Sequence, residues 1–525
     1  MFLDFFIMKD QRLDFFFLKE SWSVFLWGSG ISALVYLPYL VLPLFAIDDY
    51  FLYQLYDINS STLGYNFYST GRISQLVLAD FFQLSNIQPL TKPFGPILFI
   101  LSLSYLSVIL AKAINLTNFW LKFAFSLLII LNPFSAELFH YSIVPAYSSI
   151  SIFALAIGFV YGRRFSQHGS WQDICISIAM YMVSLSIYQI FYPIIFVFLL
   201  FQIAMTYPCS SEENAAINIF KQQLRAWIPY FLALIIYSIV LGIIFRLYPP
   251  QLAYPGTSFG EFIANLSKHE YWSALGRNLT NYLFKDNTFN SFKLNLLMWV
   301  FFTFSFMIFM YGKIIKCKSA IDATKLLATA AFLIAAAILG MLGSLGFSVL
   351  RPNEISGRSL AAFGVYQALT VSCGFILFQR TFILPRHVTF LSTIIIGVLI
   401  IGSAGRIGRI ALDQSRLNTY DRSLAVRIVS RLESFSDFTP NAKLVILGAP
   451  NMGSLSRTAL GDFNISALQH FSKVFVINEI SGYSFQNPNG EDIKLASLLA
   501  QDSELWPNTG SVISSNGMFI VRLSK

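Results

Sequence analysis

The hydrophobic positions of this chain form long apolar runs, and polar residues cluster between them. Because a helix needs roughly 20 apolar residues to cross a bilayer, the pattern predicts an α-helical polytopic membrane protein with about 11 transmembrane helices. The run at 171–206 is interrupted by Tyr188, Gln189 and Pro193, so we expect a hairpin that turns near Gln189. The predicted spans are residues 22–46, 94–113, 118–138, 143–162, 171–188, 190–206, 226–246, 293–312, 324–349, 359–379 and 388–405.

The N-terminal and C-terminal segments of the chain lack these long apolar runs. Residues 1–21 mix Phe and Leu with charged residues, which is typical of an amphipathic helix on the cytoplasmic membrane surface. A short disordered leader is the alternative, and we expect no cleavable signal. Residues 22–408 form the predicted membrane domain, and residues 409–525, rich in Asp, Asn, Ser and Gly, form a predicted periplasmic α/β domain.

Within this tail, helical and strand-like patterns alternate. The spacing of apolar residues predicts helices at 417–435 and 491–500. Short apolar runs predict strands at 442–450, 473–480 and 517–524. The turn at Gly448 lacks the spacing of a phosphate loop, so a nucleotide site is not expected there.

Composition agrees with a membrane protein and excludes other classes. Of 525 residues, 55% are hydrophobic and only 12% are charged, against about a quarter charged in soluble domains. The net charge of +9 needs no nucleic-acid partner, because Lys and Arg in cytoplasmic loops explain it. The four cysteines are scattered, so neither a disulfide framework nor a zinc site is indicated.

The basic residues also predict an orientation in the membrane. They fall on one side if the N-terminus is cytoplasmic, as the positive-inside rule expects. The loop with Asp48, the segment around Glu137, the loop from Arg351 to Arg358 and the tail then face the periplasm. The residues that set this orientation include Lys9, Lys112, Arg163, Lys221, Lys313 and Arg380.

The candidate chemistry begins with two carboxylates, Asp48 and Asp49, which follow the first apolar run. An ionisable residue at a membrane boundary suggests a functional site. A carboxylate can accept the proton of an acceptor hydroxyl that attacks a sugar, and cations can stabilise a departing phosphate. This pattern predicts transfer of a sugar from a lipid phosphate, with Arg72, Lys92, Arg351 and Arg358 as the available cations and Tyr50 as an aromatic contact.

Simpler interpretations stay open for these residues. Asp48 could cap a helix that starts at Tyr50, and Arg72 could anchor a helix end at the interface. Glu137 could be a packed acid with local hydrogen bonds. Asp48 and Asp49 could together bind a divalent metal ion, and no other cofactor is expected.

Three motifs resemble a known family. They are Asp48-Asp49 followed by Gly71-Arg72, the segment from Asn132 through Glu137 to Tyr141, and the pair Tyr188-Gln189. In order and topology they resemble the membrane glucosyltransferases that modify bacterial O-antigen (the Gtr group), usually placed with the multi-pass GT-C glycosyltransferases.

The resemblance extends over about the first 400 residues and implies both an activity and partners. The activity is transfer of a hexose, glucose by the resemblance, from undecaprenyl phosphate to a lipid-linked or surface polysaccharide on the periplasmic face. The implied catalytic acids are Asp49, Asp48 and Glu137, and the motifs add Tyr141, Tyr188 and Gln189 to the donor-binding candidates.

Two other classes of membrane protein compete with this interpretation. A flippase or transporter of lipid-linked saccharides should have internal repeats and charges deep within several spans. This chain has most charges at span ends and no repeat of fixed period. An O-antigen polymerase or ligase would place its main catalytic loop late in the chain, at Arg351 to Arg358.

Overall fold

The chain is mostly helical. A computed structural model describes residues 21–42, 44–46, 49, 72–75, 77–78, 88–116, 118–141, 144–206, 213–248, 264–287, 289–315, 320–346, 357–381, 385–452, 465–469 and 471–524. The helices are α1 Trp22–Val35, α2 Leu37–Val41, α3 Gln88–Ala113, α4 Phe119–Ile130, α5 Pro133–Ala136, α6 Val144–His168, α7 Trp171–Ile187, α8 Pro193–Thr206, α9 Glu213–Leu247, α10 His269–Leu279, α11 Phe292–Ile314, α12 Ala320–Gly343, α13 Ala362–Thr381, α14 Pro385–Leu432, α15 Lys473–Ser481 and α16 Gly490–Leu499.

Seven helices in the described part of the chain are long and apolar enough to cross a membrane. The number becomes eight if α4 and the bent segment Pro133–His140 form one span. The predicted count of about 11 is therefore not confirmed. The remaining predicted spans correspond to three shorter apolar helices, such as α1 with 14 residues. At about 1.5 Å per residue, such a helix falls short of a hydrocarbon core of about 30 Å.

The described residues divide into two compact units. The first comprises those within Met1–Leu37, Gly64–Phe139 and Ile143–Ile407, and so contains most of the apolar helices. The second comprises those within Pro38–Leu63, His140–Ser142 and Gly408–Lys525. The segment that carries Asp49 therefore belongs to the same unit as the C-terminal tail, which no sequence pattern indicated.

Residues on both sides of Gln189 contact helix α9. The Gln189 side chain donates a hydrogen bond to the Tyr237 hydroxyl on α9 at 3.3 Å. Tyr181, before the turn, and Tyr192, after it, both contact the ring of Tyr230, with centroids 5.9 and 4.3 Å away. Residues before and after Gln189 therefore contact the same stretch of α9, and the predicted hairpin near Gln189 stays a prediction.

The second unit contains a three-stranded sheet in the order β1-β3-β2, formed by β1 Lys443–Leu447, β2 Val512–Ser515 and β3 Met518–Arg522. Strands β1 and β3 are parallel, and β2 pairs with β3 antiparallel. The two predicted strands around residues 443–447 and 518–522 are thereby confirmed. Strand β2 was not predicted, although Asn516-Gly517, with φ of 53° and 71°, is a typical hairpin turn.

One predicted strand is wrong. The run at 473–480 forms helix α15, not a strand. Its Val474 and Ile477 are buried three residues apart in the core of the second unit, on one face of a helix. Gly482, in the left-handed conformation with φ 74°, then ends the helix. Packing against the sheet decided the conformation over the strand preference of Val and Ile.

Candidate functional site at three helix breaks

Three interruptions of apolar helices meet in the first unit. They are residues 131–139 between α4 and α6, residues 188–192 between α7 and α8, and residues 357–361 before α13. We call these residues the helix-break junction. Irregular backbone at membrane depth is tolerated where it is buried in protein or lines a cavity, so such a junction is a candidate site.

Asn132 forms the first break and ties it to the third. Its side-chain oxygen accepts a hydrogen bond from the Phe134 N–H, which caps α5 with Pro133 at the first position. Its Nδ2 donates to the Ala361 carbonyl at 3.0 Å. A Cβ at Gly364 would lie 2.8 Å from Cβ of Asn132, so only glycine permits this approach.

The carboxylate of Glu137 is buried and paired with Arg358. Its Oε1 lies 3.0 Å from Nη1 of Arg358, and its Oε2 accepts from the Arg358 backbone N–H at 2.7 Å. The two side chains are 3% and 25% exposed, so the pair is far better shielded from water than a surface ion pair. Glu137 thus binds both the backbone and the guanidinium of one residue, which orients Arg358.

Glu137 also influences a tyrosine outside the predicted spans. Tyr282 lies in the π-helical turn Thr280–Phe284, and burial together with the nearby Glu137 carboxylate raises the pKa of Tyr282 to about 12. The phenol therefore stays protonated at neutral pH and can serve only as a neutral group.

Arg72, Tyr188 and Gln189 lie together at the second break. The Arg72 guanidinium lies over the Tyr188 ring, 4.8 Å from its centroid. The segment that carries Arg72 is tied to the end of α7 by a contact of 2.6 Å between the Ser74 and Ser186 hydroxyls. The structure therefore places three residues from two separate sequence motifs at one break.

The second and third breaks touch each other. The turn Gln189–Phe191 contacts the turn Gly357–Leu360. A Cβ at Gly346 would lie 2.8 Å from the Pro193 ring and 3.6 Å from the Ser359 carbonyl oxygen, so both breaks border the same glycine. Arg358 and Tyr188 therefore belong to adjacent turns of one junction.

A small cavity adjoins the junction. The aromatic rings of Phe134, Phe289 and Phe363 form part of its wall, and Gln367 and Arg406 contribute polar groups. Arg406 lies 3.6 Å from the Asp286 carboxylate and donates a hydrogen bond to the Asn287 carbonyl. The cavity thus combines flat apolar faces with amide and guanidinium groups.

The other predicted site residues lie elsewhere. Asp49 and Tyr141 are buried and belong to the second unit. Asp48, Tyr50 and Arg351 lie outside the described residues, as does the Lys92 side chain. Among the described residues, no group of three or more His, Cys, Asp or Glu side chains could hold a metal ion. The predicted metal site at Asp48 and Asp49 stays a prediction.

Sequence reasoning missed Tyr237 and Tyr282 as members of this site. Both are tyrosines in apolar or irregular segments with no motif around them, so only the fold brings them to Gln189 and to the neighbourhood of Glu137.

These features define a multi-pass helical membrane protein with a polar site among broken helices. The family model for Glucosyl transferase GtrII matches residues 37–396. Because the match covers more than half of the chain, the protein belongs to the GtrII glucosyl transferase family, as the resemblance predicted. Searches of curated proteins and of solved structures gave no match.

The Tyr188 ring provides a graded test of the junction. We expect Tyr188→Phe to keep turnover within about twofold, since the ring face over which Arg72 lies is retained. Tyr188→Leu should lose about 1 kcal/mol of cation–π interaction and lower turnover about fivefold. Steady-state turnover of the purified variants checks this. Equal activity of Tyr188→Leu and Tyr188→Phe would contradict a role for the ring.

Proposed function

We propose that this protein transfers glucose from undecaprenyl-phosphate glucose to a lipid-linked or surface polysaccharide, such as an O-antigen. The reaction takes place on the periplasmic face of the bacterial inner membrane. Family membership supports the glucosyl transfer. The observation that carries the site is the buried Glu137–Arg358 pair among broken membrane helices, because ionisable groups kept within such helices mark substrate sites.

In this proposal, the acceptor hydroxyl oxygen attacks the anomeric carbon of the donor while the bond from that carbon to the phosphate oxygen breaks. Asp49 accepts the hydroxyl proton, and the polyprenyl phosphate leaves with the electron pair. Arg358, oriented by Glu137, and Arg72 stabilise the negative charge of the departing phosphate. Asp48 and Asp49 are the proposed ligands of any divalent ion.

The remaining predicted residues support substrate binding in this proposal. Lys92 and Arg351 add positive charge for the donor phosphate. Tyr50, Tyr141, Tyr188 and Gln189 offer aromatic faces, hydroxyls and an amide for the sugar.

The proposal is tested with purified protein in lipid nanodiscs and defined polyprenyl-phosphate sugars. We expect release of polyprenyl phosphate from the glucose donor in the presence of a lipid-linked glycan acceptor. An absence of turnover with every donor, together with translocation of the lipid-linked sugar in vesicles, would instead support a flippase.

The orientation of the protein in the membrane is tested by labelling single cysteines in a variant whose four native cysteines are replaced by serine. A single cysteine at Ser497, on exposed helix α16, should react with an impermeant thiol reagent on intact cells. A cysteine at Lys313, at the exposed end of α11, should react only after the inner membrane is permeabilised. Labelling of Ser497→Cys only after permeabilisation would place the tail in the cytoplasm.

A further inference from the structure

The tail holds the segment that carries Asp49. We use the name acidic turn for Phe45, Ala46 and Asp49. Within this turn, the Ala46 N–H donates to Oδ2 of Asp49 at 3.0 Å, and the Asp49 N–H donates to the Ala46 carbonyl at 3.2 Å. The carboxylate of Asp49 is therefore oriented by the backbone just before it, and its position depends on where that backbone is held.

Helix α14 holds that backbone through two side chains. The Asn418 side chain accepts from the Phe45 N–H and donates to the Phe45 carbonyl, each at 3.0 Å. Gln414, one helical turn earlier, donates to the same carbonyl at 2.7 Å. Both polar groups of the Phe45 backbone are thus bound by side chains more than 360 residues away in sequence.

Two further observations support a fixed position of the acidic turn. The Phe45 side chain packs against the apolar core of the second unit. The neighbouring Leu44 is fully buried. Because backbone and side chain are both held, the acidic turn has little freedom to move relative to α14.

We propose that Asn418 and Gln414 are positioning residues for Asp49, an inference that rests on the proposed function for its catalytic consequence. Both lie beyond residue 396, where the match to the family model ends. The C-terminal tail thereby contributes to catalysis, because the carboxylate must lie within hydrogen-bond reach of the acceptor hydroxyl.

The test uses the full-length protein and the variant Asn418→Ala, with Thr419→Ala as the matched control. Thr419 is exposed, and its hydroxyl donates a hydrogen bond to the Ser415 carbonyl of its own helix. We expect Asn418→Ala to increase amide hydrogen exchange in a peptide that covers the acidic turn about tenfold. Turnover should fall between about tenfold and 100-fold, with KM for the lipid donor unchanged within twofold.

A double variant separates positioning from general destabilisation. If Asn418 acts through Asp49, Asn418→Ala should not lower the residual turnover of an Asp49→Asn protein any further. An additional loss of tenfold in that background would overturn the inference, as would faster exchange with unchanged turnover.

The outcome also separates this inference from the proposed function. If Asp49→Asn keeps normal turnover, the assignment of Asp49 as the base fails. The amide hydrogen exchange of Asn418→Ala still tests whether Asn418 holds the acidic turn in place. Should Asn418→Ala not fold, Gln414→Ala removes one of the three hydrogen bonds and is judged by the same exchange and turnover measurements. Unchanged exchange in Gln414→Ala would overturn its part in the inference.

Discussion

Asp49→Asn should lower glucosyl transfer by about 10³-fold, the largest effect that we expect from a single change. An amide has nearly the same size as the carboxylate, and its oxygen can still accept the Ala46 N–H. The acidic turn should therefore keep its shape, while the group that accepts the acceptor proton is lost. Turnover of purified protein with a polyprenyl-phosphate glucose donor measures the effect.

The matched control for this variant is Asp502→Asn, which changes an exposed carboxylate in the same unit. Both variants should insert in the membrane and unfold at the temperature of the parent protein. An Asp49→Asn protein that retains most of its turnover would refute the assignment of Asp49 as the base. Glu137 would not replace it directly, because both of its carboxylate oxygens already accept hydrogen bonds from Arg358.

Arg358→Ala should affect both stability and rate. It leaves the buried Glu137 carboxylate without its guanidinium, which should lower the free energy of unfolding by about 3 kcal/mol. If Arg358 also stabilises the departing phosphate, turnover should fall about 100-fold in protein that is still folded. Thermal unfolding and steady-state kinetics on the same preparation separate the two effects, with the exposed Arg422→Ala as control.

A neutral pair distinguishes the structural role of Arg358 from its proposed catalytic role. The double variant Glu137→Gln/Arg358→Gln has no unpaired buried charge, so it should regain most of the stability that Arg358→Ala loses. Its turnover should nevertheless stay about 100-fold low, because the guanidinium of Arg358 no longer stabilises the departing phosphate. If turnover recovers together with stability, Arg358 only holds the junction in place, and the phosphate role passes to Arg72 or Lys92.

For Glu137 and Arg358, the sequence predicted the two site residues but not the contact between them. Both were predicted as site residues, one as an acid and the other as a phosphate ligand. Their mutual pairing was not predicted, because 221 residues separate them and no local pattern links the two segments. The same holds for Arg72 and Tyr188, which came from different motifs and lie together only at the second helix break.

Local sequence patterns were sufficient to predict the membrane class, the approximate positions of the long apolar helices and two strands of the tail. The physical reason is that burial in lipid or in a sheet requires apolar residues in local, regular patterns, and such patterns are visible in the chain. The family also followed from short motifs near helix ends. The folded structure was needed to show that the run at 473–480 is a helix, that Glu137 binds Arg358 and that Asn418 binds the Phe45 backbone. These outcomes depend on contacts between residues distant in sequence, whose energies no local pattern of polar and apolar positions contains.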